Sequence, residues 1–560
     1  MSCRVGVLRR HLGEVSAPPR TRGIVGDIED LASASSAHEC GSEGSAVQVS
    51  GQARAMLQAA STAAAGFKVR SGESAFAARG KPIKGAADFR ESLRGRGLVV
   101  YHGGEQVPEF VDHPIFAASI NAMAATYELG EQDPQLATAK SQISGVQHSR
   151  FLHITESAED VVMQNRMQRR LGQITGTCFQ RCVGMDASNA MFATTYDVDQ
   201  KCGTEYHARF RRFIAQAQEG NVVIGGAMTD PKGDRGRSPS QQEDPDLFVR
   251  VVGRTVDGVV IRGAKVHQTG TLNSHWMVVM PGQRLAPEDK DYAIACAVPV
   301  DGEGIVYING RQPSDTRALE GGEIDQGNAQ YGGQELVVVF DDVFVPFSRV
   351  FLDGETEFSA PIVERFTNYH RRSYICKAGL GDVLLGAAAT MADYNGVAKA
   401  SHVKDKLVEL AYMNENIAGT ALSASYQSHR EPAGNWGPNS MHANVCKHNV
   451  TRFPYLAAAI AQDLAGGLVS TLPAEADFDH PVAGPLLEKY LVGAPGSTVE
   501  NRRRMLRLIE NMTMGRNCVG YMAESMHGAG SPQAQRVVIQ RLMDPESKKK
   551  LAKRIAGIKD

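Results

Sequence analysis

The sequence predicts an α+β chain in which a β region lies between two helical regions. Apolar residues recur at helical spacing before residue 220 and after residue 355, whereas between residues 222 and 351 short runs alternate with a period near two. Gly, Asp and Pro separate these strand-like runs, as expected of turns. We therefore expect an extension over residues 1–80, an N-terminal helical domain over 81–220, a middle β domain over 221–355 and a C-terminal helical bundle over 356–560.

Local patterns predict the individual elements. The first helical region opens with apolar residues at helical spacing in residues 88–93 and 113–129. Ser157 begins a Ser-x-x-acid sequence that indicates a helix N-terminus, and a proline-free helical composition continues to Tyr196. The predicted strands are 247–252, 258–266, 276–280, 292–300, 304–308 and 335–345. The predicted C-terminal helices are 360–394, 403–426, 442–471, 499–529 and 532–558.

The charge balance disfavours some classes of function. The chain has 560 residues, and 60 Lys and Arg against 62 Asp and Glu give a net charge of −2. Without a net positive field, binding to nucleic acid or to an anionic membrane surface is disfavoured. The apolar stretches are interrupted, for example by Gln462 and Asp463, so we expect no membrane span.

Residues 1–80 differ in composition from the rest. Arginines are frequent near the start, where Glu14 is the only early acid, and residues 31–80 are rich in Ser, Ala and Gly. Such a segment cannot bury enough apolar surface to fold alone. It is typical of an organelle transit peptide, and a misassigned start with Met56 as the true first residue is at least as good an interpretation. Nine scattered cysteines favour a reducing compartment, so we expect a cytoplasmic protein or, with a transit peptide, an organelle matrix protein.

Cys178 and Cys182 form a Cys-x3-Cys pair that the helical pattern places inside a helix. Four residues advance ~6 Å and turn ~40° beyond one turn, so both thiols share a face and can bind one metal centre. Two buried cysteines that merely fill apolar space are the commoner case. An iron–sulfur cluster normally needs four ligands, and the further candidates are His370 and Cys376, in a segment dense in His, Tyr, Cys, Lys and Arg.

Two polar segments are candidates for cofactor binding. Residues 225–236 form a glycine-rich loop, and residues 267–270 end a predicted strand. Their backbone amides, Thr and Lys suit a flavin ring or a phosphate, although neither segment has Rossmann or P-loop spacing and a plain turn is the better interpretation on pattern alone. The candidate residues in these segments are Met228, Thr229, Lys232, Asp234, Arg235, His267, Gln268 and Thr269. Glu335 and Glu524 are carboxylates in unusual settings, for which a solvated surface position is the alternative.

Longer stretches carry a more specific signal. They are TCFQRCVGMDA at 177–187, AMTDPKGDRG at 227–236, GAKVHQTG at 263–270, ANVCKHNVTRFPY at 443–455 and ESMHGAGSPQAQR at 524–536. These stretches closely resemble the 4-hydroxybutyryl-CoA dehydratase/vinylacetyl-CoA delta-isomerase family, from about Lys84 to Lys559. The wider relatives are flavin-dependent 4-hydroxyphenylacetate hydroxylases and the acyl-CoA dehydrogenase fold, to which FDDVFVP at 340–346 is similar. The resemblance implies an acyl-CoA dehydrogenase-like fold with a middle β-barrel and a C-terminal four-helix bundle.

The resemblance also implies an activity and a site. It implies radical dehydration of 4-hydroxybutyryl-CoA to crotonyl-CoA, with vinylacetyl-CoA isomerisation, in a homotetramer that uses FAD and a [4Fe-4S] cluster and needs no NAD(H). The implied cluster ligands are Cys178, Cys182, His370 and Cys376, and the implied active-site residues are Thr269, Glu335, His370, Tyr374, Lys377 and Glu524. A flavin-dependent aromatic hydroxylase and a non-catalytic scaffold holding structural zinc are the alternatives.

The sequence departs from the family pattern at two places. His370 and Cys376 are six positions apart, whereas the family pattern has seven, and Trp276 stands where the family has Glu. On a regular helix seven residues return to nearly the same face, while six leave the side chains ~120° apart. We therefore expect the chain to leave regular helix around residues 373–375, so that His370 and Cys376 can turn toward the cysteine pair.

Overall fold

The computed structural model describes residues 81–311, 322–325 and 330–558. The predicted extension over residues 1–80, with its alternative start at Met56, lies outside the described residues, as does Lys559. Helices and strands are both abundant in the described chain, which confirms the α+β prediction.

The first helical region contains six α-helices among the described residues. They are α1 Ala86–Ser92, α2 Pro114–Gln132, α3 Pro134–Ala137, α4 Ala158–Thr175, α5 Cys182–Cys202 and α6 Tyr206–Gly220. The predicted N-terminus at Ser157 is confirmed, because its side chain caps α4 by accepting a hydrogen bond from the Asp160 amide at 3.2 Å. The prediction of one helix running on to Tyr196 is wrong. Gly176 ends α4 with a φ of 58°, a left-handed conformation that favours glycine and terminates helices.

The β region forms two sheets. The twelve strands in and near it are β1 Val99–His102, β2 Glu105–Val107, β3 Thr138–Lys140, β4 Gln147–Ser149, β5 Ile224–Ala227, β6 Arg250–Arg254, β7 Gly258–Thr269, β8 Trp276–Val279, β9 Ile294–Pro299, β10 Ile305–Asn309, β11 Glu335–Pro346 and β12 Val350–Asp353. One sheet has the order β2-β1-β10-β11-β7-β6, and the other has the order β12-β9-β8-β5, while β3 and β4 pair only with each other in a separate hairpin among the described residues. Residues of both sheets, such as Ile261 and Val278, belong to one hydrophobic core.

No closed barrel is found in the middle β region within the described residues, so that detail of the predicted fold is not confirmed. A helix rather than a further strand lies against β5. Helix α5 lies directly on it, and a Cβ added to Gly184 would stand 1.7 Å from the Ile224 carbonyl oxygen. A Cβ added to Gly226 of β5 would stand 2.6 Å from the Val183 side chain. The two glycines therefore allow this helix to pack on the strand that leads into the 227–236 loop.

The second helical region is divided more finely than the sequence predicts. Its helices are α7 Ser359–Ser373, α8 Cys376–Tyr394, α9 Ser401–Tyr426, α10 Ser440–Val450, α11 Phe453–Ala465, α12 Leu468–Thr471, α13 Glu475–Asp479, α14 Ala483–Tyr490, α15 Val499–Thr513, a π-helix at Val519–Ala523, α16 Glu524–His527, α17 Pro532–Leu542 and α18 Pro545–Ile555, with a small hairpin of β13 His429–Arg430 and β14 Trp436–Gly437. Helices α8, α9, α11 and α15 share a core that includes Leu384, Leu410, Ala461 and Ile509. Full burial of a leucine side chain contributes roughly 1.5–3 kcal/mol.

Helices α4 and α8 approach closely at two glycines. A Cβ on Gly172 would stand 2.4 Å from the Cys376 carbonyl oxygen, and a Cβ on Gly379 would stand 2.2 Å from the Arg169 carbonyl oxygen. Only glycine permits this backbone-to-backbone contact. The contact fixes the start of α8, and therefore Cys376, against the first helical region.

The helical run Thr356–Tyr394 is long and apolar enough to cross a membrane by length and composition alone. However, 67% of its most apolar window is buried inside the protein. The same composition is expected of a helix in the core of a large protein.

Candidate active site

The Cys-x3-Cys sequence lies in a loop and not inside a helix, so that prediction is wrong. Cys178 lies between α4 and α5, and Cys182 is the first residue of α5. Gln180 between them has a φ of 68°. Its side-chain amide donates to the Gly332 carbonyl at 2.9 Å and to the Ser119 carbonyl at 3.2 Å. These long-range bonds hold the loop in a conformation that a helix would not allow.

The three candidate thiols are buried and affect one another's ionisation. Burial raises the pKa of the Cys178 and Cys182 thiols well above the ordinary value, and the charges of neighbouring thiols add to the rise. Burial also raises the pKa of the Cys376 thiol. Cys182 and Cys376 belong to one apolar cluster. The structure therefore brings all three thiols into one buried region, where they stay protonated unless a cation binds them.

His370 is oriented by a buried carboxylate. Its Nδ1 lies 2.8 Å from Asp186 Oδ2, and Ser373 Oγ donates to Asp186 Oδ1 at 3.0 Å. Because Asp186 accepts the hydrogen bond, Nδ1 carries the proton and the lone pair of the imidazole is on Nε2. The ring is held between Phe366 and Tyr374, at centroid distances of 5.3 and 5.4 Å. A carboxylate behind a histidine is the usual support of a metal ligand.

The predicted interruption between His370 and Cys376 is confirmed. Helix α7 ends at Ser373 and α8 begins at Cys376. Two amides in this turn bond three residues back: Ile375 N donates to Arg372 O at 3.3 Å, and Lys377 N donates to Tyr374 O at 2.9 Å. A turn with three-residue spacing rotates each residue ~120° rather than ~100°, so it alters the relative direction of the two side chains.

Carboxylates and a lysine form a connected polar group. Thr269 Oγ1 lies 2.7 and 2.9 Å from the two Glu335 oxygens, and Lys377 Nζ donates to Glu524 Oε2 at 2.8 Å. Burial, followed by the Glu524 charge, raises the pKa of Glu335 well above its usual value. The Tyr374 hydroxyl donates to the Glu524 backbone carbonyl at 3.1 Å. Glu335 is thus held neutral beside a second carboxyl group that pairs with Lys377, an arrangement suited to proton transfer.

The candidate flavin residues separate into two groups. Thr229, Lys232, Asp234, Arg235 and His267 are exposed, whereas Met228 and Gln268 are buried. The Met228 carbonyl accepts a hydrogen bond from Lys265 Nζ at 2.9 Å, and Gln268 Nε2 donates to the Val266 carbonyl at 2.6 Å. These two residues therefore support the local structure, and the exposed five remain available to a ligand.

His267 has a left-handed backbone conformation with a φ of 56°. It lies at a bulge where the register between β7 and β11 shifts from Leu336–Gln268 to Val338–Lys265. Burial, Lys232 and His527 lower its pKa, which shows that the 228–235 loop, the end of β7 and α16 converge there. Strained residues and bulges of this kind often re-aim side chains beside active sites.

Sequence reasoning missed two residues of this site. Asp186 follows Cys182 by four residues, and a charge one helical turn from a candidate ligand was the signal for a buried partner. Lys447 is fully buried, its Nζ donates to the Ser525 carbonyl, and it lies 4.4 Å from the centroid of the Tyr374 ring. Burial, followed by the charges of Lys377 and Arg371, lowers the pKa of Lys447 to about 7.

Trp276, at the second departure from the family pattern, begins β8. Its ring contacts Phe213 at a centroid distance of 5.6 Å and lies 5.2 Å from the Arg349 guanidinium carbon. A glutamate at position 276 would lack the aromatic ring and would therefore lose the packing against Phe213.

The candidate donor set consists of ligand types that iron–sulfur centres use. Within residues 81–311, 322–325 and 330–558, no group of three His, Cys, Asp or Glu side chains is arranged to hold one metal ion. Three buried thiols with a carboxylate-supported imidazole have the ligand chemistry that iron–sulfur centres use.

The chain is similar to known proteins over most of its length. Residues 85–352 match 4-hydroxyphenylacetate 3-hydroxylase, N terminal, and residues 359–557 match the C-terminal part of the same family. The chain is 51% identical over 487 residues to the 4-hydroxybutyryl-CoA dehydratase/vinylacetyl-CoA-Delta-isomerase of Clostridium aminobutyricum, which covers 85% of this chain and 99% of that protein. The chain belongs to the 4-hydroxybutyryl-CoA dehydratase family. The family prediction made from the sequence motifs is confirmed.

Solved structures support the same family. An oxygen-tolerant archaeal 4-hydroxybutyryl-CoA dehydratase from N. maritimus is 59% identical, with a TM-score of 0.84, and the match covers 85% of this chain and 96% of that one. The aromatic hydroxylases are more distant relatives of this dehydratase family member. The oxygenase component of 4-hydroxyphenylacetate 3-monooxygenase from Thermus thermophilus is 27% identical over 76% of this chain and 88% of that protein. The FAD complex of such an oxygenase component is 23% identical with a TM-score of 0.74, a likeness of fold, over 84% of this chain and 98% of that one.

Proposed function

We propose that this protein dehydrates 4-hydroxybutyryl-CoA to crotonyl-CoA and isomerises vinylacetyl-CoA. The observation that carries the proposal is the joining of two groups in one buried region: three thiols with the supported His370, and the Glu335–Glu524 pair with Lys377. The relative that is 51% identical bears the name of this activity.

The proposed cofactors are FAD and a [4Fe-4S] cluster. Cys178, Cys182, Cys376 and Nε2 of His370 would hold the cluster, and the exposed residues at 229–235 and His267 would contact the flavin. The name of an FAD complex among the similar folds supports the flavin, and the thiol and imidazole chemistry supports the cluster. When bound, FAD supplies reversible one-electron oxidation, and the cluster supplies a Lewis-acidic iron for the leaving hydroxyl group.

The chain itself supplies the proton transfers. In 4-hydroxybutyryl-CoA the thioester acidifies the α-proton only moderately, and the β-hydrogen is unactivated, so acid–base catalysis worth about 10²–10⁴-fold is insufficient alone. Asp186 occupies Nδ1 of His370, which leaves one nitrogen. That nitrogen can ligate the cluster or accept the α-proton, but it cannot do both at once, so any role as base requires release from the metal.

Glu335 and Glu524 have different tasks in this scheme. Glu335 is held neutral by burial and by its acidic neighbour, so it can donate a proton. Glu524 is paired with Lys377 at 2.8 Å, so it can accept one. Tyr374 and Thr269 hold these groups in place through their hydroxyl bonds. Two neighbouring carboxyl groups in different surroundings, one buried against an acid and one paired with a lysine, are suited to acid and base roles.

We also propose a cytoplasmic homotetramer. The seven cysteines in the described ranges are all free thiols, which supports a reducing compartment. The exposed position of the candidate flavin residues supports a cofactor site completed by a second subunit, as expected for the family.

The test is purification without oxygen followed by assay for crotonyl-CoA. A brown protein with iron, sulfide and FAD supports the dehydratase, a yellow protein without iron supports the distantly related aromatic hydroxylases, and a colourless protein supports a scaffold. Cys178→Ser and Cys182→Ser should each lose iron and activity, because hydroxyls are poor ligands for cluster iron. The control is Cys446→Ser, since Cys446 is also buried and its thiol donates to the Ile417 carbonyl at 3.7 Å. Full iron content in the Cys178 and Cys182 variants would remove these residues from the ligand set.

A further inference from the structure

Lys447 is a buried cation at the junction of three elements of the site. It belongs to α10, its ammonium group donates to the Ser525 carbonyl of α16, and it lies 4.4 Å from the ring centroid of Tyr374 in the turn between α7 and α8. Its side chain has no exposed surface. A lysine is rarely buried so completely unless an acid pairs with it.

Its charge is compensated differently from that of Lys377. Lys377 is also buried, but it forms an ion pair with the Glu524 carboxylate at 2.8 Å. Within the described part of the chain no carboxylate forms an ion pair with Lys447, and its hydrogen-bond partner is the neutral Ser525 carbonyl. The titratable groups that face it are Lys377, Arg371, His448, the thiols of Cys376 and Cys446, and Tyr374, which it overlies. Burial of an ammonium among further cations is destabilising, so packing alone does not explain the residue.

The Ser525 carbonyl and the Tyr374 ring, which Lys447 contacts, both adjoin Glu524. Ser525 follows Glu524 directly, so the bond to its carbonyl holds the peptide beside the catalytic carboxylate. Tyr374 donates its hydroxyl to the Glu524 carbonyl at 3.1 Å, and Lys447 lies over its ring. The π-helix at Val519–Ala523 directly precedes Glu524, whose amide donates to the Val519 carbonyl five residues back instead of four.

We propose that Lys447 is a positioning residue for the reaction: its ammonium group holds the Tyr374 ring and the Ser525 carbonyl, and through them sets the Glu524 carboxylate against Glu335. The proposal rests on the proposed function. It assigns to Lys447 no contact with substrate, and its effect should therefore fall on kcat more than on KM.

The test compares Lys447→Met and Lys447→Arg with Lys404→Met, which removes an exposed lysine from α9. Lys447→Met should keep wild-type iron and FAD content and lower kcat by about 10–100-fold, the effect of a small misplacement of a catalytic group. Lys447→Arg should recover part of the loss, because it keeps the cation over the ring. The wild-type kcat should also show an alkaline limb, as the ammonium deprotonates, that Lys447→Met lacks.

Hydrogen exchange supplies a readout that does not depend on activity. Amides of residues 519–528 should exchange faster in Lys447→Met than in the wild type, and unchanged exchange would overturn the inference. A kcat and pH profile equal to the wild type would overturn it as well, and so would a loss of iron and kcat together without any change in the pH profile, which indicates a merely structural role. A wild-type enzyme with iron and FAD but no dehydratase activity would refute the proposed function, while the exchange measurement would still decide the role of Lys447.

Discussion

Replacing Asp186 by Asn tests the supporting network behind His370. Asp186 is fully buried and accepts hydrogen bonds from His370 at 2.8 Å and from Ser373 at 3.0 Å. An asparagine could keep its oxygen toward His370 and place its amide toward Ser373, so both contacts can persist in shape. What disappears is the negative charge, and with it the charge-assisted part of each bond.

The loss of this negative charge should have its largest effect on Arg372, which is also fully buried. Its guanidinium lies 3.7 Å from Asp186, and its hydrogen bonds run to neutral groups on α4: Val161 O, Asn165 Oδ1 and Gln164 Oε1. Removing one partner of a buried ion pair destabilises a protein by about 3–5 kcal/mol, because the other charge remains buried. Loss of the carboxylate behind a metal-binding histidine typically lowers metal affinity or activity by about 10–100-fold.

The assay measures iron per subunit and the midpoint of thermal unfolding under anaerobic conditions. Asp186→Asn should lower the iron content and the unfolding midpoint. Ser373→Ala keeps the charge of Asp186 and removes one hydrogen bond, so it should lower the free energy of unfolding by about 1.5–3 kcal/mol and retain most of the iron. In the double variant Asp186→Asn/Arg372→Met the stability loss should be smaller than the sum of the single losses, since the buried charge is gone. An Asp186→Asn protein with wild-type iron content and unfolding midpoint would refute this account.

Three further variants test other parts of the structure. Gly379→Ala should destabilise the protein by roughly 1–3 kcal/mol or more, because its Cβ would stand 2.2 Å from the Arg169 carbonyl, while Gly386→Ala in the same helix meets nothing within 4 Å and should be neutral or stabilising in thermal unfolding. Glu335→Gln should lower kcat by about 10²–10⁴-fold. The pKa of Glu335 is raised in the folded protein, so the contribution of this group to stability is lost as pH rises. The wild type should therefore lose stability relative to the variant above about pH 4.5. Burial lowers the pKa of His148 to about 4, so the wild type should lose roughly 3 kcal/mol as pH falls from 6.5 to 4, and His148→Gln should show a flatter unfolding profile.

The strands were predictable because their signals are local. The predicted run 258–266 is β7 Gly258–Thr269, and the predicted run 335–345 is β11 Glu335–Pro346. Alternating side chains and turn residues within a few positions are sufficient to set such boundaries. The long helical predictions failed where the chain changes direction. Residues 442–471 form three helices, and Pro454 and Gly466 in that stretch were the available signals.

The site was only partly predictable, because its contacts join distant parts of the chain. The left-handed Gln180 depends on carbonyls of Ser119 and Gly332, and nothing near residue 180 encodes them. Asp186 and His370 are 184 positions apart. A sequence read locally can identify residues able to carry chemistry, but their pairing is a property of tertiary packing.

The balance of charge in the site argues for thiolate ligands. Without a bound metal the three thiols are neutral, so Lys377 has only Glu524 to compensate it and Lys447 has no carboxylate partner among its described ionic contacts. Ionised thiolates would change that balance, since negative charge on Cys376 raises the pKa of both lysines and negative charge on Cys178 raises that of Lys377. Binding a cluster through these thiols would therefore stabilise the protonated lysines, and by reciprocity the protonated lysines would stabilise the bound cluster. Burial of Lys447 without a carboxylate partner is unfavourable beside a protonated Cys376 thiol, and it becomes less unfavourable when that thiol is ionised.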